Sequence, residues 1–192
     1  MVFPALAAGP NETESGKELE MTERTAAVTM KGNPLVLLGN EVRIGQKAPE
    51  VELAGNDLSA VKLPSIGRGK VCIITSVPSL DTPVCDTETR RFNEEAAELG
   101  DNVVILTVSM DLPFAQSRWC GAAGVTQVQT LSDYRKADFG ESYGVLIKDL
   151  RLLARAVFVV DKEGTIRYLE LVKEITSEPD YEAALNAAKS LL

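Results

Sequence analysis

The run Val71-Cys72-Ile73-Ile74-Thr75-Ser76-Val77 constrains the fold more than any other stretch of the chain. It is rich in β-branched residues and nearly continuous in apolar character, as expected of a strand buried on both faces. A segment from about Val84 to Leu99 follows. Phe92, Ala96 and Leu99 fall there at i, i+4 and i+7, which predicts a helix capped at its end by Gly100. Glu94, Glu95 and Glu98 lie mostly off that stripe and read as its solvated face. Val103 to Met110 is a second core strand, so strand, helix and strand form a βαβ unit whose strands should run parallel.

The flanking segments extend this unit. Ala27 to Met30, a turn at Lys31-Gly32-Asn33-Pro34, and Leu35 to Leu38 read as a hairpin. Gly45 to Pro49 is a loop, and Val51 to Leu53 a short strand. After Met110, a turn through Phe114 leads to a helix over Ala115 to Ala123. A strand near Val128 to Leu131 and a small helix near Ala137 to Tyr143 come next. Ala156 to Val160 is a strand, Asp161 to Gly164 a hairpin turn, and Thr165 to Val172 its antiparallel return. Pro179 suits the first position of a last helix, with Tyr181, Ala184, Leu185, Ala188 and Leu191 on its buried face. A βαβ unit followed by a β-hairpin and a terminal helix is the order of a thioredoxin-like α/β fold. Residues 27–192 are expected to form one such domain, with the β-hairpin at its N-terminus, preceded by an extension over 1–26.

Between the strand at Val71 and the helix at Val84 lies Pro78-Ser79-Leu80-Asp81-Thr82-Pro83-Val84-Cys85. A cysteine placed where a helix begins meets free amide N–H groups and the positive end of the helix dipole, and both favour the thiolate over the thiol. The Thr82 hydroxyl, three residues back, can reach whatever approaches that sulfur. This stretch reads as the working centre of a cysteine-based redox protein.

Composition narrows the chemistry further. There is no histidine, which removes Ser-His and Cys-His nucleophile pairs and any histidine base or metal ligand. Three cysteines without a C-x-x-C do not make a usual structural zinc site, and neither metal nor cofactor is expected. Activation of a cysteine must then come from Arg or Lys, a helix terminus, or backbone donors. A net charge of -8 argues against nucleic acid or an anionic membrane as partner, and no run approaches the roughly 18 apolar residues of a membrane span. Met1 to Leu6 lacks the basic flank of a secretory signal, and Asn11 to Arg24 is polar and charge-rich. The expectation is a flexible extension on a cytoplasmic protein.

The three cysteines differ in setting. Cys72, inside a core strand, reads as a small inert hydrophobe. Cys85 opens a helix. Cys120, in Gln116-Ser117-Arg118-Trp119-Cys120-Gly121, admits two readings when paired with Cys85: a resolving thiol that closes a transient disulfide, or half of a static structural one.

From about Thr29 to the C-terminus the chain resembles the bacterial thiol peroxidases, an atypical two-cysteine branch of the peroxiredoxins. Four blocks carry the resemblance, in order. They are Pro78 to Cys85, Asp111-Leu112-Pro113-Phe114-Ala115-Gln116-Ser117-Arg118, Ala154-Arg155-Ala156-Val157, and the block from Glu174 to Ala184 around Pro179. The resemblance implies that Cys85 is the peroxidatic cysteine and Cys120 the resolving one. It further implies that Thr82 donates its hydroxyl in the pocket, Pro78 shields the sulfur, and Arg155 is the active-site arginine. It also implies a homodimer that reduces hydroperoxides and is recycled by thioredoxin. A peroxide sensor or thiol–disulfide relay passing its disulfide to a partner is the alternative. Two features depart from the family pattern: the N-terminal extension, and Trp119, where a smaller aromatic is usual. A cysteine that starts one helix and another that ends a second are not expected within the ~7 Å Cα separation of a disulfide. Segments 84–92 and 113–124 are therefore expected to unwind locally during turnover.

Overall fold

A computed structural model describes residues 22–192, so residues 1–21 of the expected extension lie outside it. The chain begins with an antiparallel hairpin, β1 (Glu23–Met30) and β2 (Asn33–Leu38). β1 starts at Glu23 rather than Ala27. A bulge between Thr25 and Val28, with Ala26 at φ 55°, breaks the alternation by which a strand is recognised. β3 (Val51–Ala54) and β4 (Ala60–Leu63) pair next, and a single 3-10 turn at Ser65–Gly67 leads into β5 (Val71–Ser76). The sequence reading did not anticipate β4, whose four residues lie at a sheet edge and are too few to show a period.

The expected βαβ unit follows as α1 (Pro83–Leu99) and β6 (Val103–Ser109), and β5 and β6 pair in parallel. α2 (Pro113–Ala123) begins at Pro113 rather than Ala115, since a proline at a helix's first position costs no hydrogen bond. β7 (Val128–Ser132) and a short α3 (Asp138–Ser142) come next, then β8 (Leu146–Ile147) and β9 (Leu152–Leu153). These last two strands have two residues each, too short to leave a pattern. β10 (Ala156–Val160) and β11 (Ile166–Leu171) form the expected antiparallel hairpin. α4 (Tyr181–Lys189) starts two residues after Pro179, which is therefore not its first residue. Asp180 is the N-cap, and its carboxylate accepts from the Ala183 N–H at 2.9 Å. Leu191 lies beyond the helix end, half-buried against the core.

The larger sheet has the order β11-β10-β5-β6-β7-β3-β4, and the smaller one β1-β2-β8-β9. β5 is central and all six of its residues are buried, because its two faces serve different cores. Val71 and Ile73 point to α1, α2 and α4, together with Phe92, Trp119, Tyr181 and Leu185. Cys72 and Ile74 point the other way, toward Phe139, Tyr143 and Phe158 and the small sheet. The strand's period of two is thus hidden in the sequence by burial on both sides. No helix among the described residues is long and apolar enough to cross a membrane.

Candidate active site

The site forms where β5 hands over to α1. The chain leaves the sheet at Ser76 and passes through buried Val77 and Pro78. Pro83 then fixes the first helical turn, with Thr82 as N-cap. Thr82 makes no capping bond with its side chain. Its hydroxyl lies 2.8 Å from the Cys85 Sγ and 3.0 Å from the Ser79 carbonyl, so its one proton can go to either acceptor. Cys85 is the third residue of the helix, and its side chain is fully buried. At this end of a helix the N–H groups have no intrahelical acceptor.

Arg155, just ahead of β10, reaches the sulfur from the other side. Its Nη2 donates to the Cys85 Sγ at 3.2 Å, its Nε to the Ile175 carbonyl at 3.1 Å, and its Nη1 to the Glu88 carboxylate. Three anchors hold a side chain that is only 1% exposed, so the guanidinium has little freedom to turn away. Burial works against its charge, but Glu88 and the Cys85 sulfur outweigh that and hold its proton more tightly. The loop carrying Thr82 is clamped by Asp111, whose carboxylate accepts from the Ser79 hydroxyl, the Leu80 N–H and the Ser109 hydroxyl, each at 2.8 Å. Gln116 of α2 joins this cluster by donating to Ser109 at 2.9 Å.

Of the residues singled out from the sequence, Thr82, Cys85 and Arg155 come together directly, and Pro78 is buried in the same turn. Cys120 stands apart. It is a free, half-buried thiol on α2, 3.4 Å from the Thr130 hydroxyl, and it lines a surface cleft with Asn56 and Asp57. Cys72 is buried and free, and burial pushes its thiol up to about 12.

Sequence reasoning missed Glu88. It sits three residues after Cys85 on the same face of α1, a spacing that was legible in advance. The residue is fully buried, and its second carboxylate oxygen has no partner among the described residues. Burial pushes its carboxyl up to about 7; Arg155 opposes the rise, and the charges of Glu170 and Glu178 add to it.

Comparison with known proteins identifies the family. The family model described as Redoxin matches residues 43–185, and the chain belongs to that family. A thiol peroxidase of Halalkalibacterium halodurans is 58% identical over 87% of this chain and 99% of its own length. One from Bacillus subtilis is 54% identical with the same coverage. Within the family the chain is a peroxiredoxin-type peroxidase. The crystal structure of a peroxiredoxin-like protein from Aquifex aeolicus aligns with a TM-score of 0.81 at 46% identity, covering 90% of this chain and 99% of the other. A thiol peroxidase from Chromobacterium violaceum shares the fold, with a TM-score of 0.76 at 20% identity over 85% of this chain and 95% of the other.

The buried carboxyl gives a pH test. Glu88 holds its proton more tightly folded than unfolded, so its contribution to stability is complete below about 4.5 and is lost as the pH rises through about 7. Urea unfolding at about pH 5 and about pH 8 should therefore show a smaller loss of stability in Glu88→Gln than in the parent. Equal losses in the two proteins would contradict this assignment.

Proposed function

We propose that the Cys85 thiolate attacks the terminal oxygen of a hydroperoxide. The O–O bond breaks, ROH leaves with one added proton, and the sulfur becomes a sulfenic acid. The Cys120 thiol then attacks that sulfur, forming a Cys85–Cys120 disulfide and releasing water. A dithiol protein of the thioredoxin type reduces the disulfide by exchange, which restores both thiols. In this reading Thr82 and Arg155 hold the peroxide oxygens, and Pro78 screens the sulfur from water. The enzyme works as a homodimer, as the family resemblance implies, and does so in the cytoplasm.

The observation that carries the reading is the double approach to one buried sulfur, by a hydroxyl at 2.8 Å and a guanidinium at 3.2 Å. An ordinary thiol is about 3% ionised at neutral pH, so complete ionisation gains only some thirtyfold in rate. Some of that is lost because nucleophilicity falls with basicity. Donors that stabilise charge as the O–O bond lengthens must supply more. A peroxide oxygen brought against the sulfur comes within reach of the same two donors where they already stand, so the pocket need not be rebuilt.

Two experiments follow. Reduced protein treated with one equivalent of peroxide should yield a Cys85–Cys120 bond within one chain by mass spectrometric mapping. A bond to Cys72, or one between chains, would contradict the proposed cycle. Arg155→Met and Thr82→Val should each lower the second-order rate with peroxide by about 10²- to 10³-fold, well beyond any change in titrated thiolate fraction. A rate that falls only in step with that fraction would remove the pocket donors from the mechanism.

A further inference from the structure

The residues beside the two reactive sulfurs are bonded to each other. Asp86 follows Cys85, Trp119 precedes Cys120, and the Trp119 indole N–H donates to the Asp86 Oδ1 at 3.0 Å. The contact belongs to a polar seam along α1, formed by Asp86, Arg90 and Asn93 at i, i+4 and i+7. Arg90 Nε donates to the Asp86 Oδ2 at 2.9 Å and its Nη1 to the Ala123 carbonyl at 2.8 Å, while its guanidinium lies 5.6 Å from the Trp119 ring centroid. Asn93 Oδ1 accepts from the N–H groups of Thr126 at 3.0 Å and Gln127 at 2.8 Å, beyond the end of α2.

Helix geometry gives this seam a consequence for chemistry. Consecutive residues of an α-helix point about 100° apart. With Asp86 turned toward α2, Cys85 is turned into its pocket against Thr82 and Arg155. With Trp119 turned toward α1, Cys120 is turned to Thr130 on β7. While both helices stay wound and the indole stays on the carboxylate, the two sulfurs face different ways. Bringing Cys120 to Cys85 requires α2 to turn or unwind by about a quarter turn, and this pulls Trp119 off Asp86.

We propose that the Asp86–Trp119 hydrogen bond is a latch that must open before the disulfide can close. Trp119 is then a positioning residue for the second step of the cycle and takes no part in the first. The inference deepens the peroxidase reading above and rests on it. The latch also sets a competition. The longer it stays shut, the longer the Cys85 sulfenic acid persists and the more readily a second hydroperoxide oxidises it to the sulfinic acid, releasing ROH. A phenylalanine at 119 would keep the packing but could not make this bond, because it has no N–H.

The test separates the two steps in full-length protein. Reduced protein is mixed rapidly with limiting hydrogen peroxide and quenched at intervals. Sulfenic acid is trapped with a dimedone reagent, and the disulfide is quantified by mass spectrometry. Trp119→Phe and Asp86→Ala should form sulfenic acid at the parental rate yet close the disulfide about five- to tenfold faster, the scale of one partly exposed charge-assisted hydrogen bond. The double variant should close no faster than the quicker single one, since both remove the same bond. Because Trp119 is the only tryptophan, parental emission should change with disulfide closure and not with sulfenic acid formation. Closure at or below the parental rate in both single variants, or additive acceleration in the double, overturns the latch. A parent that forms no Cys85–Cys120 bond overturns the peroxidase cycle and the latch together. Normal closure in the parent with unaltered variant rates overturns the latch alone.

Discussion

The buried guanidinium of Arg155 is the interaction around which the site is arranged. An arginine taken out of water is tolerated only where its charge and donors are met, and here three groups meet them. They come from two separate parts of the chain: the Cys85 sulfur and Glu88 from α1, and the Ile175 carbonyl from the segment between β11 and α4. Burying that one side chain correctly therefore requires α1, the start of β10 and the approach to α4 to be in register. The parallel pairing of β5 with β6 and the antiparallel pairing of β5 with β10 supply that register. The polar site is in this sense an outcome of the sheet order.

In the proposed cycle a pocket of this kind serves the first chemical step better than the second. Rigid donors around a buried sulfur suit attack on a small peroxide, since they need no reorganisation as charge develops. The same rigidity keeps Cys120 on the far side of its helix, hydrogen-bonded to Thr130. The two segments are nonetheless joined by polar contacts that can open locally: Asp86 with Trp119, and Ser79 with Asp111, which reaches Gln116 through the Ser109 hydroxyl. Local opening of such contacts has a small free-energy cost compared with unfolding the core beneath. One fold can thus hold a tight pocket and still release it.

Much of this was legible in the sequence, for identifiable reasons. β5, α1 and β6 announced themselves because long apolar runs and a helical stripe ending at Gly100 leave few alternatives. Thr82 and Cys85 could be placed from local chain geometry, since three positions at a helix start leave little choice of neighbour. Arg155 could not. It meets Cys85 across a separation of 70 positions, and only the family resemblance pointed to it. Glu88 was overlooked because a glutamate on a helix reads by default as solvated; its spacing from Cys85 was the signal that outweighed that default. The early start of β1 was hidden by its bulge, and the start of α4 by Asp180 acting as cap in place of the neighbouring proline. Short edge strands such as β4 are set by tertiary pairing and leave almost no local trace.

All of this rests on one sulfur, placed between a hydroxyl and a guanidinium, being the atom that breaks the oxygen–oxygen bond. The most direct measurement is steady-state hydroperoxide consumption by Cys85→Ser, with a thioredoxin reducing system supplied in excess and the fold checked by circular dichroism. The account predicts consumption at the background rate of the reducing system alone, in a protein that remains folded. A folded Cys85→Ser protein that removes hydroperoxide as fast as the parent would contradict it.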